Sequence, residues 1–488
     1  MNYKMLGRYH AWIFAALAVF MIPAAALCLV DARYADALAF LYTILISSAL
    51  CAGLFALCRR GVKQSMRAKE GLICVGLAWI CMSLVGALPL WFSGSYPSFI
   101  DALFEIVSGF TTTGASVLSD VESLSRGILY WRSFSHWLGG MGVLVFLLAI
   151  VPVSGKTQGF TLHLMRAESP GPDVGKLVPR IRRTAAILYL TYIALTLLDI
   201  FFLVIGGMPF FDAVCTTFGT VGTGGFGIKN DSMAGYSPYL QNVTTVFMLL
   251  SGVNFSCFYL LMLKQVWGVI RDEELRLYLG VVATATVLVT LNVRGLFNTF
   301  GEALRHAAFQ VSSLITTTGF STFDYELWPT FSKAILLFLM LIGACAGSTG
   351  GGLKCARILL LVKGLARNIG QVLHPQKVQS IRINKKTVDE RVLNNTNAYL
   401  FVYLTILVSS FVLVSLDSFA NSPMTSFSAV LACFNNIGPG LDAVGPTCNY
   451  GGFNVFSKLV LIFDMLAGRL EIFPMLVLFS PRAWKKAG

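Results

Sequence analysis

The fold of this chain follows from four glycine segments: Thr111-Thr112-Thr113-Gly114, Gly222-Thr223-Gly224-Gly225, Thr316-Thr317-Thr318-Gly319 and Asn435-Asn436-Ile437-Gly438. Each lies between two apolar runs. Counting back thirteen residues from the last glycine of each segment leads to a residue that is followed by Ala or Ser, namely Asp101, Asp212, His306 and Thr425. An amphipathic stretch of about three helical turns connects these points. The pattern therefore predicts four repeats, each consisting of a membrane span, a short helix, a glycine-containing turn and a second span.

The apolar runs around these segments are long enough to cross a bilayer, which takes about 17–25 residues. Of the 488 residues, 56% are hydrophobic and only 12% are charged, whereas soluble domains carry roughly 25% charged residues. We therefore expect a polytopic membrane protein. The predicted spans cover residues 11–30, 37–57, 71–92, 131–153, 185–205, 243–267, 277–293, 331–342, 399–416 and 455–479.

The positive charge, a net +13, is concentrated in every second connection between spans. This positive-inside pattern places both termini in the cytoplasm and loops such as 101–122 outside. It also argues against a nucleic-acid partner, and it holds when residues 11–30 are counted as a retained helix rather than a cleaved signal peptide. The basic residues are Lys4 and Arg8; Arg59, Arg60, Lys63, Arg67 and Lys69; those within 156–183; Lys264, Arg271 and Arg276; those within 354–391; and Arg482, Lys485 and Lys486.

The short helices cannot cross a bilayer, and their polar turns cannot face lipid, where each unsatisfied backbone group costs several kcal/mol. Four such turns would converge on one watery axis, where backbone carbonyls replace the hydration shell of an ion. Glycine reaches positive φ without a steric cost, and threonine adds uncharged oxygen ligands that suit an alkali cation. Close helix packing by small residues is the alternative explanation for a single segment.

A second glycine run interrupts the apolar region after residues 331–342. It consists of Gly347, Ser348, Thr349, Gly350, Gly351 and Gly352. It does not fit a phosphate-binding loop, because Leu353 separates the glycines from Lys354. So many glycines disfavour a helix, and a loop at membrane depth persists only where it lines a cavity. We expect a movable gate beneath the third segment, with a packing kink as the alternative.

The last span contains Asp464, Arg469 and Glu471. An arginine within a bilayer is costly unless it is paired or faces water, so Arg469 is predicted to be functional, with a structural pair to one of the two acids as the alternative. Asp101 and Asp212 stand near the start of short helices, where they complement the helix dipole or attract cations.

With these segments in place, the chain resembles the TrkH/TrkG branch of the Trk/Ktr/HKT superfamily of potassium transporters. The resemblance covers essentially the whole chain, including the two helices before the first repeat. Its motifs are Phe110-Thr-Thr-Thr-Gly-Ala115, Thr223-Gly-Gly-Phe226, Thr317-Thr-Gly-Phe320, Asn435-Asn-Ile-Gly-Pro-Gly440, Trp137-Leu-Gly-Gly-Met-Gly142, Gly343-Ala-Cys-Ala-Gly-Ser-Thr-Gly-Gly-Gly352 and Gly468-Arg-Leu-Glu-Ile472.

The resemblance implies an all-α membrane protein with four pseudo-symmetric repeats around one pore. Its parts are two extra N-terminal helices (1–69) and repeats at 70–183, 184–275, 276–391 and 392–488. The implied potassium-binding filter residues are Thr112, Thr113 and Gly114; Thr223, Gly224 and Gly225; Thr317, Thr318 and Gly319; and Asn436, Ile437 and Gly438. The implied gate is the run Gly347 to Gly352 together with Arg469, which would oppose cations below the filter.

The resemblance also implies K⁺ as the transported ion with no organic cofactor, location in the bacterial inner membrane, homodimerisation and a cytosolic nucleotide-binding ring of the TrkA type. Symport is a further expectation of this kind, although no carboxylate relay is evident in the spans. A sodium-selective or non-selective cation transporter of the same fold remains open. An intramembrane enzyme is disfavoured, because His136, His163, His306 and His374 have no partner at a recognisable spacing. The eleven cysteines contain no C-x-x-C pair, so we expect apolar packing residues rather than disulfides or metal ligands.

Overall fold

The computed structural model describes residues 2–58, 68–142, 181–376 and 379–484. These residues are almost entirely helical, as expected. Six of the described helices are long and apolar enough to cross a membrane, and a seventh span results if one bent helix pair is counted. The chain is thus a multi-pass membrane protein. Its first two helices, Tyr3–Val30 and Tyr34–Leu57, pack against each other ahead of the repeats.

After these two, the described helices fall into four successive groups, here called repeats 1 to 4, each with a long helix, a short helix and one or two further helices. Repeat 1 has Ala68–Phe92, Phe99–Phe110 and Arg126–Gly140. Repeat 2 has Ile181–Ile205, Phe210–Gly222, Pro238–Ser251 and Phe255–Met262. Repeat 3 has Glu273–Val293, Phe300–Ile315, Thr330–Ile342 and Cys355–Leu373. Repeat 4 has Glu390–Val414, Pro423–Phe434, Val455–Arg469 and Phe473–Phe479.

The remaining described elements are small. Val266–Ile270 and Pro481–Trp484 are short helices outside the repeat pattern, and Arg294–Leu296, Tyr325–Leu327 and Asp442–Val444 are single 3₁₀ turns. Strands Arg382–Ile383 and Lys386–Thr387 pair antiparallel as a hairpin between helices Cys355–Leu373 and Glu390–Val414.

The second helix of each repeat, here called short helices 1 to 4, begins at a polar cap in three of the four cases. Ser98, Thr299 and Ser422 each accept a hydrogen bond from the backbone N–H three residues later, which satisfies one of the free N–H groups of the first turn. Short helix 2 instead follows Pro209. The last two turns of all four helices are buried, so each helix delivers its glycine segment into the protein interior.

Two of the predicted continuous spans, 243–267 and 455–479, are broken. The first bends by 91° between Ser251 and Phe255, where the side chain of Asn254 caps a new helix by accepting from Ser256 N. The second breaks at Glu471 and Ile472, which have φ of 56° and 67°. The predicted span 131–153 corresponds to helix Arg126–Gly140, and its later part lies outside the described residues.

The basic stretch 354–391 begins with two basic residues that are buried rather than exposed to solvent. Lys354 is 2% exposed and Arg357 is 6% exposed. Lys354 donates to the carbonyl of Gly350, and Arg357 forms an ion pair with Glu471 of repeat 4. Arg357 therefore links repeat 3 to repeat 4, and Lys354 forms a hydrogen bond within repeat 3. The basic residues at 156–180 lie outside the described residues.

Candidate ion pathway

The four glycine segments meet in the interior in the cyclic order 1, 2, 3, 4. A Cβ added to Gly114 would overlap the carbonyl oxygen of Gly224, and a Cβ added to Gly225 would overlap that of Thr318. Gly319 lies in the same way against the carbonyl of Ile437, and Gly438 closes the ring against that of Thr113. Each glycine thus makes room for a carbonyl group of a neighbouring repeat, which a side chain would displace.

All four segments have the same backbone conformation. The last glycines have φ between 78° and 96°, and the residues two positions earlier, Thr112, Thr223, Thr317 and Asn436, have φ between 54° and 58°. The residues between them do not have positive φ. Each intervening N–H bonds a carbonyl five residues earlier at 2.8 Å, in the pairs Thr113 to Ser108, Gly224 to Gly219, Thr318 to Ser313 and Ile437 to Ala432. Alternating the sign of φ turns successive carbonyls toward one side of the chain.

The threonine hydroxyls of the segments are largely engaged in holding them. Thr111 pairs with Thr113, and Thr316 pairs with Thr318, in both cases at 2.8 Å between hydroxyl oxygens. In segment 4 the amide Nδ2 of Asn436 donates to Thr113 Oγ1 at 3.0 Å, which joins repeats 4 and 1. These side chains therefore fix the positions of the backbone carbonyls.

The glycine-rich run of segment 2, which extends from Gly219 to Gly227, has a packing explanation. The ring of His136, from the second span of repeat 1, occupies the space where a side chain at Gly224 would lie. Gly222 packs on the backbone of His136, and Gly219 packs on the ring of Phe320. Repeats 1 and 3 thus press on segment 2 from both sides.

A cavity of about 770 Å³, including open solvent, lies on one side of the ring, and all four last glycines contribute to its lining. Two carboxylates, Asp120 and Asp442, lie close in sequence to residues that line this cavity, here called the mouth cavity. Asn230 donates to Asp120, and this hydrogen bond lowers the pKa of Asp120 below its usual value. Hydrogen bonds from Ser422 and Thr425 likewise lower the pKa of Asp442. Both groups are charged at neutral pH, which favours cations at the mouth.

The loop of residues 343–354, here called the repeat-3 loop, lies on the opposite side of the ring. Thr349 Oγ1 donates to the carbonyl of Val221 at 3.1 Å, and Gly351 N donates to Thr317 Oγ1 at 2.6 Å. A Cβ added to Gly351 would overlap the carbonyl oxygen of Asn435. The loop therefore touches the ends of short helices 2, 3 and 4 where they enter their glycine segments. Thr349 and Gly350 are fully buried there.

Arg469 joins this loop to repeat 1. Its guanidinium donates to the carbonyl of Thr349 at 2.7 Å and to the carbonyls of Gly139 and Gly140 at 2.6 Å each. The two acids that were considered as structural partners have other contacts: Glu471 pairs with Arg357, and Asp464 accepts from Ser410 at 2.7 Å.

The two aspartates near the helix starts also have side-chain partners. Asp101 forms an ion pair with Lys458 of repeat 4 at 2.6 Å and accepts from the capping Ser98 hydroxyl at 2.7 Å. Asp212 accepts from the hydroxyl of Tyr236 at 3.2 Å. Within the described ranges, no group of three or more His, Cys, Asp or Glu residues could hold a metal ion.

Sequence reasoning missed three charged residues next to the glycine segments and the repeat-3 loop. Glu105 and Arg132 form a buried ion pair beside segment 1, and Glu274 accepts hydrogen bonds from both ends of the repeat-3 loop, from Ala346 N at 2.5 Å and Ala356 N at 3.1 Å. A charged residue inside an otherwise apolar stretch is the signal that points to Glu105 and Arg132.

Four turns that meet in the interior between long apolar helices define a polytopic membrane protein. The TrkH family, described as a cation transport protein, matches residues 37–486. The chain belongs to this family, and it is accordingly a transporter and not an enzyme.

Curated relatives and a solved structure are similar to this chain over most of its length. The Trk system potassium uptake protein TrkH of Salmonella typhimurium is 39% identical over 437 residues, 88% of each chain. Its namesake from Vibrio parahaemolyticus is 35% identical and covers 96% of this chain and 97% of its own. The crystal structure of the potassium transporter TrkH from Vibrio parahaemolyticus superposes with a TM-score of 0.85 at 32% identity, covering 99% of this chain and 100% of that chain.

Proposed function

We propose that this protein takes up K⁺ across the bacterial inner membrane through the ring of glycine segments. The observation that carries the proposal is the cyclic contact of Gly114, Gly225, Gly319 and Gly438, each against a backbone carbonyl of a neighbouring segment. The names of its relatives, Trk system potassium uptake proteins, support the choice of ion.

The filter that we propose consists of the three-residue stretches that end at these glycines, 112–114, 223–225, 317–319 and 436–438. Neutral carbonyl oxygens suit a monovalent ion that must bind and leave quickly, whereas a divalent ion would favour carboxylates. Inward movement of one cation gains about 2.3 kcal/mol per 100 mV of membrane potential, so uptake needs no chemical step by this chain.

The gate that we propose is the repeat-3 loop with Arg469. The loop lies across three of the short helices, and Arg469 ties its Thr349 carbonyl to repeat 1. In this arrangement the pathway is closed below the ring, and opening requires Thr349 and Arg469 to separate. The positive charge of Arg469 at this point also opposes cations and limits the flux.

The regulatory partner that we propose is a cytosolic, nucleotide-binding ring of the TrkA type, and the membrane subunit itself is proposed to be a homodimer. Both termini would lie in the cytoplasm, which puts the mouth cavity outside and the repeat-3 loop on the inner side. The alternating basic connections support this orientation.

Uptake of radioactive rubidium into vesicles that contain the full chain alone tests the proposal. We expect uptake that is driven by an inside-negative potential and competed by potassium more strongly than by sodium, with caesium as a further competitor. Equal competition by sodium and potassium would replace the proposal with a non-selective transporter, and stronger competition by sodium would indicate a sodium-selective one. The proposal would be rejected if vesicles took up no rubidium, both with this chain alone and with the chain and its cytosolic partner.

A further inference from the structure

A buried ion pair stands beside glycine segment 1. Glu105 lies on short helix 1 and Arg132 on the second span of the same repeat; their side chains are 0% and 2% exposed. Arg132 donates to Glu105 Oε1 from Nε at 3.0 Å and from Nη2 at 2.6 Å. Burying two charges in this way costs much of what their attraction gains, so the pair needs a reason other than stability.

The carboxylate of this pair holds the chain just beyond Gly114. Ser116 Oγ donates to Glu105 Oε1 at 2.9 Å, and Val117 N donates to Glu105 Oε2 at 3.0 Å. The carbonyl of Ser116 in turn accepts from Tyr450 N of repeat 4 at 2.8 Å. Glu105 thus fixes the point at which segment 1 leaves the ring.

The guanidinium of the pair holds segment 2. Arg132 Cζ lies 4.3 Å from the ring centre of Phe226, the residue that follows Gly225. One turn further along the same span, His136 Nε2 accepts from Phe226 N at 3.2 Å, so His136 Nδ1 carries the proton and donates to the Gly109 carbonyl at 2.7 Å. The second span of repeat 1 therefore holds the exits of segments 1 and 2 together.

The other repeats have no charge at the corresponding position of their short helices. Nine residues before the last glycine stand Glu105, Thr216, Gln310 and Ala429. Repeat 3 holds its exit through Ser313 Oγ, which donates to the Phe320 carbonyl at 2.6 Å, and repeat 4 uses the Tyr450 hydroxyl, which donates to the Gly438 carbonyl at 2.7 Å. Neutral groups suffice in these repeats, so the ion pair is specific to the joint between segments 1 and 2.

We propose that Glu105 and Arg132 are positioning residues that set the ion preference of the glycine ring, an inference that rests on the proposed K⁺ transport. The pair has two separable effects. Its hydrogen bonds to the exit of segment 1 and its contact with Phe226 after segment 2 hold the ring oxygens of these segments at the spacing that distinguishes K⁺ from Na⁺. Its charge balance keeps Arg132, which lines the mouth cavity, from repelling entering cations.

Full-length protein in vesicles, assayed for radioactive rubidium uptake, separates the two effects. Glu105→Gln leaves the charge of Arg132 unbalanced, and we expect the KM for rubidium to rise at least about fivefold. Glu105→Gln/Arg132→Gln is neutral again and should return the KM to within about twofold of wild type. Arg132→Lys keeps the charge but loses the planar fork, so the KM stays near wild type while the ratio of sodium to potassium needed for half competition falls at least about fivefold.

Glu302→Gln is the matched control, because it removes a partly exposed carboxylate from the first turn of short helix 3; we expect wild-type KM and competition ratio. Folded Glu105→Gln with wild-type KM and ratio would overturn the proposal. If that variant is not recovered as monodisperse protein, Arg132→Lys decides, and an unchanged competition ratio overturns it. Failure of the wild-type chain to take up rubidium, both alone and with its cytosolic partner, would instead reject the proposed transport itself.

Discussion

Two features disfavour any residue other than glycine at the end of each segment: the positive φ and the lack of space for a Cβ. Gly114 has φ of 83°, and a Cβ there would overlap the Gly224 carbonyl. Left-handed φ alone costs an L-residue roughly 1–2 kcal/mol, whereas the overlap forces the backbone of a neighbouring segment to move. Gly94 separates the two effects, because it has φ of 73° and nothing within 4 Å of the added Cβ.

We therefore expect Gly114→Ala to lower rubidium uptake at least about tenfold, because moving one carbonyl by a fraction of an ångström removes an ion ligand. Gly94→Ala should leave uptake at the wild-type level, with only a small loss of thermal stability. The measurement is initial uptake rate in vesicles at equal protein content. Equal uptake by the two variants would mean that Gly114 is not part of the pathway.

At the residue scale, the sequence was sufficient to locate the glycines but not what surrounds them. The register of thirteen residues depends only on local helix length and predicts Gly114, Gly225, Gly319 and Gly438 directly. The reason for Gly224 lies in the ring of His136, almost ninety residues away. Likewise, the positive φ of Thr112, Thr223 and Thr317 is not predicted by residue type, because threonine rarely adopts it, whereas Asn436 is of a type that tolerates it.

At the scale of elements, the sequence predicted the short helices and the interruption in repeat 3 but missed the breaks in repeats 2 and 4. Four glycines within six residues predict a loop in repeat 3. In repeat 2, Gly252 is a single glycine in an apolar run, and in repeat 4, Glu471 and Ile472 are not residues typical of turns. Their positive φ depends on tertiary contacts, such as the ion pair of Glu471 with Arg357. Local propensity cannot predict a break of that kind.

The side chain of Glu274 forms hydrogen bonds to both the start of the repeat-3 loop and the helix that follows it, which leads to a prediction for the gate. Glu274 Oε1 accepts from Ala346 N, near the start of the loop, and from Ala356 N, just after its end. Each bond contributes roughly 0.5–1.5 kcal/mol, so Glu274→Ala should shift the loop toward its open position. We expect rubidium uptake without the cytosolic partner to rise by about fivefold to tenfold.

Glu390→Ala is the control for this prediction. Glu390 also lies in the first turn of a first span, but it is exposed and pairs with Arg367 away from the loop. Its replacement should leave uptake unchanged. Glu274→Ala protein that is folded and transports at the wild-type rate would show that these hydrogen bonds do not restrain the gate.

At the scale of the whole molecule, the loops around the mouth cavity repeat the cyclic order of the ring. Asp120 of repeat 1 bonds Asn230 of repeat 2, and Ser232 bonds Ser321 of repeat 3. Glu326 of repeat 3 accepts from Asp442 N of repeat 4 at 2.7 Å, and Tyr450 N returns to the Ser116 carbonyl of repeat 1. The sequence predicted convergence of the four segments but not their order around the axis, because repeat spacing is the same for every order.

The cyclic order can be tested by disulfide cross-linking at the mouth. Ser232 Oγ accepts from Ser321 N at 3.2 Å, which puts the two residues within reach of a disulfide bond. Cys448 is the exposed cysteine among the described residues and is first replaced by serine. Under a membrane-impermeant oxidant, Ser232→Cys/Ser321→Cys should then form the bond, detected by mass spectrometry of the digested protein.

Ser232→Cys/Asp442→Cys is the matched control, because it joins repeats 2 and 4, which face each other across the axis rather than side by side. It should remain reduced under the same conditions. Cross-linking of this pair instead of the first would mean that the order of the repeats is wrong. Loss of rubidium uptake is not expected in the cross-linked Ser232–Ser321 protein, since that bond would only reinforce an existing contact between neighbouring repeats, and a block of uptake would indicate that the mouth itself must move during transport.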